Sequence, residues 1–310
     1  MKITFKLLVV ISFLLNGCML NGCVSAEKPQ TWIASHVIFI GLDGWGAYSI
    51  EKADMPCVKQ LMYDGAYTLK KRSVLPSSSA VNWASMFMGA GPELHGYTKW
   101  NSQTPEIPSR QITAYGIFPS IFGLLRDAYP DAEIGYEYEW DGMQYVVEMP
   151  AMSFAKEVVN HEKDQDTTFV IACDYIRTSK PNLFALIIDQ PDHVGHQTGH
   201  DTPEYYAVLS MLDNYVGQII QATKDAGIYD DTIFILSSDH GGINKGHGGM
   251  TLREMETPFI VSGKNVKKGL CFEESMMQFD VAPTIAYIFG LTPPQVWTGR
   301  PMKQIFSITN

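Results

Sequence analysis

The chain has 310 residues, 45% of them hydrophobic and 18% charged, enough to bury a sizeable core in one large α/β domain or two small ones. Its formal net charge is -10, and no basic stretch occurs after residue 72. That balance argues against a nucleic-acid polyanion as partner.

The N-terminus reads as a targeting segment. Lys2 and Lys6 precede the apolar run 7–15 (LLVVISFLL), too short to span a bilayer and of the length of a signal h-region. Two endings compete. Leu15-Asn16-Gly17-Cys18 and Leu20-Asn21-Gly22-Cys23 have the form of a lipobox, whereas Val24-Ser25-Ala26 has the form of an ordinary signal-peptidase site. Residues 1–26 are therefore expected to be a signal peptide, of lipoprotein or ordinary type. The expected location is exported: periplasmic, extracellular, or held at the outer membrane by an N-terminal lipid. Cys57, Cys173 and Cys271 remain after cleavage, with no CxxC pair, and are expected as buried thiols rather than a disulfide framework.

Strand-like and helix-like runs then alternate. In chain order the expected elements are a strand at 36–40, helices at 55–63, 79–89 and 118–129, a strand at 132–138 and a helix at 169–178. A buried strand follows at 183–188, a long helix at 202–226, strands at 232–236 and 258–261, and a final helix at 278–289. This pattern predicts an α/β fold, a mostly parallel central sheet with helices on both faces in a three-layer sandwich.

The acids and histidines fall at the ends of these strands. Asp43 follows the first, Asp189 and Asp192 follow 183–188, and Asp239 and His240 follow 232–236. Open α/β sheets bind ligands at the carboxyl ends of their strands. A polar turn would explain any one of these placements; it explains all three together poorly. Asp192 and His196 are four apart and can reach one ion from one helical turn or compact loop. His247, between glycines in Lys245-Gly-His-Gly-Gly249, adds another imidazole, while His193 and His200 exceed one site's need. Asp and His donors without thiolate suit Zn²⁺, or another divalent ion such as Mn²⁺, rather than Ca²⁺. A nucleophile is then expected at a helix N-terminus, where N–H groups and the dipole favour an anion. Pro76-Ser77-Ser78-Ser79 fits, although serines there also serve simply as N-caps.

The ordered segments GLDG (41–44), PSSSAVNWASMFMGAGPELHG (76–96), DQPDHVGH (189–196), SSDHGG (237–242) and KGHGG (245–249) resemble the alkaline phosphatase superfamily, within it the nucleotide pyrophosphatase/phosphodiesterase branch. The resemblance runs from about residue 35 to Thr298-Gly-Arg-Pro301 and implies that residues 27–310 form a single alkaline phosphatase-like catalytic domain. It implies two Zn²⁺. Asp43, Asp239 and His240 would hold one together with the nucleophile oxygen, and Asp192, His196 and His247 the other. Counting back from His95 of the Pro-Glu-x-His-Gly motif selects Ser79 as nucleophile. Asn101 is the nearest match to the asparagine that binds a phosphate oxygen, one residue later than the motif expects, with Asn82 as the fallback.

The implied activity is hydrolysis of a small phosphodiester or pyrophosphate, a nucleotide for example, through a phospho-Ser79 intermediate. The stretch Tyr136-Glu-Tyr-Glu-Trp-Asp-Gly142 favours that over a monoester, if its carboxylates repel a second phosphate charge and its aromatics stack on a leaving group. A phosphomonoesterase is the alternative. Sulfatases use a C/S-x-P-x-R motif, and Ser77–Asn82 has neither its Pro nor its Arg. A non-catalytic metal-binding surface protein would have no use for Ser79.

Overall fold

The computed structural model describes residues 32–159 and 165–308, so the expected signal segment lies outside the described residues. An eight-stranded sheet forms the centre. Its strands are β1 (His36–Leu42), β2 (Gly65–Arg72), β3 (Ile134–Tyr138), β4 (Phe154–Glu157), β5 (Leu183–Ile188), β6 (Thr232–Ser237), β7 (Glu256–Gly263) and β8 (Leu270–Cys271), in the order β4-β3-β5-β1-β6-β7-β2-β8. All pairings are parallel except those of β7, which runs antiparallel to both β6 and β2.

The helices are α1 (Pro56–Tyr63), α2 (Ser79–Met88), α3 (Pro92–His95), α4 (Ile121–Ala128), α5 (Gln165–Ser179), α6 (Asp192–Thr198), α7 (Pro203–Asp225), α8 (Leu252–Met255) and α9 (Val281–Ile288). They cover both faces, because the pleat sends successive side chains to opposite sides. Val37, Phe39, Ala185 and Ile235 pack with α2, α4 and α9 in one core. Ile38, Ile40, Leu186 and Leu236 pack with α1, α5 and α7 in the other. The continuous apolar runs seen in the sequence are thus strands buried on both sides, as a three-layer sandwich requires. Among the described residues no helix is long and apolar enough to cross a membrane.

The sequence reading misses three strands, β2, β4 and the two-residue β8. β2 contains Thr68, Lys70, Lys71 and Arg72, and those polar residues hide its alternation. Short β4 pairs with β3 at the sheet edge. Among the described residues all three cysteines are free; Cys173 is buried as expected, whereas Cys57 is half-buried and Cys271 is exposed at the end of β8.

β5, β1 and β6 are neighbours, and their ends are flush. Leu42 pairs with Ile188, and Gly41 pairs with both Ile187 and Ser237. The chain segments that follow these three strands therefore leave the sheet side by side.

One core residue conflicts with its surroundings. Glu137 of β3 is fully buried between Leu186 of β5 and Lys156 of β4, and neither carboxyl oxygen has a hydrogen-bond partner. Burial, helped by the charge of Glu139, pushes its pKa from 4.5 up to about 9. The folded state therefore holds the proton more tightly than the unfolded chain. The stability tied to this proton is complete below the ordinary carboxylate range and is lost as pH rises toward about 9. Glu137→Gln cannot ionise. Urea denaturation across that range is expected to show the wild type losing stability relative to the variant as pH rises; a constant difference would refute it.

Candidate active site

The loops after β1, β5 and β6 bring together the carboxylates and imidazoles singled out in the sequence. Asp43 N donates to Ile188 O at 2.9 Å and Asp192 N donates to Asp43 O at 3.0 Å, so the first two loops are stitched directly to one another. His240 Nε2 lies 3.4 Å from Asp43 Oδ1, 3.2 Å from Asp239 Oδ2 and 3.2 Å from Ser79 Oγ. Asp192 Oδ2 lies 3.0 Å from His196 Nε2 and 3.6 Å from His247 Nε2. Among the described residues two groups have ligand atoms within 4.8 Å of one another: Asp192 with His196 and His247, and Asp43 with Asp192 and His240. The two sets are adjacent; the rings of His240 and His247 stack at 3.7 Å.

Several features show that these residues suit a divalent cation. Asp43 and Asp239 are buried, and Asp43 Oδ1 and Asp239 Oδ2 have no hydrogen-bond partner. Buried oxygens of that kind are costly unless something positive meets them. Each of the three imidazoles in the sets also offers Nδ1 to a backbone carbonyl: His196 to Lys245 O at 2.9 Å, His240 to Gly241 O at 2.8 Å, His247 to Ser77 O at 3.0 Å. A carbonyl fixes the proton on Nδ1 and leaves Nε2 as the free donor pair, the arrangement that orients metal-ligating histidines.

The protonation tendencies point the same way. Burial, then the charges of Asp239 and Asp192, pushes Asp43 well above the usual carboxylate range, and burial with Asp192 does the same to Asp239. Burial drives His240 down to about 3. Asp192 behaves differently: burial raises it, but hydrogen bonds from His196 and His200 outweigh that and hold it well below the usual range. The hydrogen bond to Asp192 in turn lifts His196 to about 9. A divalent cation between these groups would favour both carboxylates ionised and the imidazoles neutral, reversing the pressure on Asp43, Asp239 and His196.

The three serines separate clearly. Ser77 Oγ donates to Gly249 O at 2.6 Å and accepts from Gly248 N at 3.2 Å, so it is committed to the loop carrying His247. Ser78 is the extended residue before α2, buried, its hydroxyl without a partner. Ser79 is the first residue of α2 and has its hydroxyl beside His240.

Asn82 is excluded as a phosphate ligand. Its Oδ1 accepts from Val74 N at 2.7 Å, and its Nδ2 donates to the carbonyls of Val74, Pro76 and Ser78 at 3.2, 3.0 and 3.0 Å. Asn101 is exposed, in a turn docked on α2 through Ala80 N to Trp100 O at 3.0 Å. Tyr136 and Tyr138 are buried in β3, so the aromatic stretch expected to face a leaving group is mostly core. Alternation places Tyr136 and Tyr138 in the core shared with α2 and α4, and neither faces solvent.

Other parts of the site were not anticipated. Trp83 Nε1 donates to Asp43 Oδ2 at 3.1 Å; its position four residues after Ser79, on the same helix face, was the available signal. Fully buried Lys71 donates to Ser238 O at 2.9 Å and to Gln278 Oε1, beneath the turn bearing Asp239 and His240. Burial lowers that ammonium to about 7. A cavity of about 690 Å³ opens beside the clusters, lined by Pro76, Ser78, Lys99, Trp100, His196, His247 and Gly248. Trp100 is 58% exposed and stacks on Trp140, with centroids 6.2 Å apart.

A mostly parallel sheet bearing clustered Asp and His at its carboxyl edge, with a serine at a facing helix N-terminus, defines a member of the alkaline phosphatase superfamily. More narrowly, the chain belongs to the type I phosphodiesterase / nucleotide pyrophosphatase family, whose sequence profile matches residues 37–247. Among relatives, venom phosphodiesterase CdcPDE of Crotalus durissus collilineatus is 24% identical over 246 residues, covering 74% of this chain and 29% of the relative. The chain thus spans less than a third of the length of the curated relatives it matches first. Among solved structures, an inactive variant of murine ectonucleotide pyrophosphatase/phosphodiesterase 5 in complex with AMP superposes with a TM-score of 0.70 at 16% identity, covering 84% of this chain and 96% of that one. A 2-O GAG sulfatase has the same fold, with a TM-score of 0.68 at 14% identity over 88% of this chain and 74% of that one.

The hydrogen bonds of Asn82 fix the segment 74–78 that leads into Ser79. Asn82→Ala is expected to cost about 2 kcal/mol by chemical denaturation, the cost of leaving several buried groups unmade. A residue whose task was to bind phosphate would leave stability unchanged.

Proposed function

We propose that this chain is an exported phosphohydrolase that cleaves a phosphodiester or pyrophosphate bond in a small substrate, such as a nucleotide, by way of a phospho-Ser79 intermediate. The observation that carries the reading is the placement of Ser79 Oγ at a helix N-terminus, 3.2 Å from His240 Nε2, among carboxylate oxygens that have no hydrogen-bond partner. In this reading residues 1–26 act as the export signal and 27–310 as one catalytic domain.

Asp43, Asp239 and His240 would hold one zinc or manganese ion with the Ser79 oxygen, and Asp192, His196 and His247 the other. Two such ions would lower the pKa of the serine hydroxyl and neutralise charge on the leaving oxygen. Ser79 Oγ attacks phosphorus; the P–O bond to the leaving group breaks as the Oγ–P bond forms. Water then cleaves the Oγ–P bond, releasing phosphate or its monoester and restoring Ser79. N–H groups of the first turn of α2 face the developing negative charge, and Asn101 is assigned a non-bridging phosphate oxygen. Trp83 holds the Asp43 carboxylate in orientation through Oδ2.

Family membership and the cavity support the diester or pyrophosphate substrate, the cavity through a wall in which Trp100 and Pro76 present apolar surface to a leaving group. The monoesterase reading draws on one observation, Lys99 on the same wall, whose ammonium would suit a second phosphate charge.

Hydrolysis of bis-aryl and mono-aryl phosphates by metal-quantified protein, with Ser79→Ala as control, tests the proposal. Bis-aryl hydrolysis is expected to dominate, to require bound divalent metal, and to fall by about 10³-fold or more in Ser79→Ala. Metal near zero, or full activity in Ser79→Ala, would sink the proposal. Faster mono-aryl hydrolysis would transfer the substrate to the second reading.

A further inference from the structure

His200 lies outside both ligand sets, yet its side chain is as deeply buried as that of His240. Its side chain is inaccessible to solvent, and its Nε2 lies 3.1 Å from Asp192 Oδ1. On the other side Nδ1 lies 3.1 Å from Asn244 O, a carbonyl that also accepts from the His200 backbone N–H at 2.6 Å. The ring is clamped between two glycine backbones. A Cβ on Gly195 would come within 2.5 Å of Nε2, and one on Gly242 within 2.3 Å of Cδ2. The ring of Tyr205 packs at 5.6 Å, and the Tyr205 hydroxyl donates to Gly44 O at 2.8 Å. One imidazole thus ties helix α6, the loop between His240 and His247, and the turn after Asp43.

The consequence concerns Asp192. Its Oδ2 faces His196 and His247, while its Oδ1 is taken by His200. Asp192 also lies within 4.8 Å of the ligand atoms of Asp43 and His240, so without a partner on Oδ1 the carboxylate is free to turn toward either set.

We propose that His200 is a positioning residue that assigns Asp192 to the ion shared with His196 and His247 by occupying Oδ1, and so keeps the two metal positions distinct. The inference rests on the two-metal reading above. His200 touches neither metal nor substrate; it acts through the carboxylate. Partners of this kind usually change metal affinity by about 10–100-fold when removed.

The test is zinc stoichiometry and chelator-competition affinity on the full chain, alongside thermal unfolding of the metal-free protein and kcat and KM for a bis-aryl phosphate. In His200→Leu, which fills the space and cannot donate, one of two zinc ions is expected to be held about 10–100-fold more weakly while the other is unchanged. In this variant kcat falls more than KM rises. His200→Gln, whose amide can still donate to Oδ1, recovers most of the lost affinity. Should the Leu chain not fold, His200→Met repeats the test with a more adaptable side chain. Two zinc ions held as tightly by His200→Leu or His200→Met as by the wild type would overturn the inference, even where the metal-free variant melts earlier. A wild type that binds no zinc would overturn the two-metal reading, and this assignment with it.

Discussion

The structure turns on the burial of three carboxylates, Asp43, Asp192 and Asp239, at one edge of the sheet. Two like charges about 4 Å apart repel by about 4 kcal/mol at an effective dielectric of 20, before any cost of desolvation. Asp192 is relieved by His196 and His200, which donate to its two oxygens. Asp43 and Asp239 have partial relief only, from Trp83 and from the Gly44 N–H, and each retains an oxygen with no partner. Lys71 feels the charge of Asp239, but its hydrogen bonds are spent on Ser238 O and Gln278. The fold has thus concentrated negative charge that its own side chains do not neutralise. That is the strongest physical reason to read the site as one that holds cations.

Such an arrangement needs a rigid support. β1, β5 and β6 are buried on both faces, and their in-register ends allow no slippage without turning a whole strand inside out. The loops beyond them are held by backbone bonds, Asp43 to Ile188, Asp192 to Asp43 and Gly241 to Glu254, and by the ion pairs of Asp201 with Lys52 and Arg253. The same economy applies to the imidazoles. A backbone carbonyl fixes the Nδ1 proton of His196, His240 and His247, so tautomer and ring plane are set by the main chain. Ser77 extends the scheme, because its carbonyl orients His247 while its hydroxyl ties down Gly248 and Gly249.

What the sequence discloses follows from how local each signal is. Strands β1, β5 and β6 are legible because burial on both faces makes them uninterrupted apolar runs, and the acids stand out because they follow those runs directly. β2 is not legible: its bulge between Thr68 and Lys71 breaks the alternation, and Lys71 reads as a solvent-facing residue although it is buried. The same limit hides Trp83 and His200, whose roles depend on partners 40 and 8 residues away. Asn82 shows the converse failure. Its type and position near Ser79 suit a phosphate ligand, but its hydrogen bonds go to the backbone of its own lead-in segment.

The acidic stretch 136–142 shows why substrate class resists a reading by composition. Taken linearly, Glu137 and Glu139 would repel a dianion. In the fold Glu137 points into the apolar layer under α5, and Glu139 accepts from Thr168 and from the backbone of Asp189, behind the site rather than at its mouth. The basic groups on the cavity wall are instead Lys99 and His196, next to the exposed face of Trp100. The exposed plane of Trp100 suits a leaving group with a flat face, whereas the ammonium of Lys99 suits added phosphate charge. The proposed preference for a diester or anhydride therefore rests on the apolar wall of Pro76 and Trp100 rather than on the acidic stretch that composition singles out. It depends on what the cavity wall can attract, whereas buried Glu137 of β3 makes stability depend on pH.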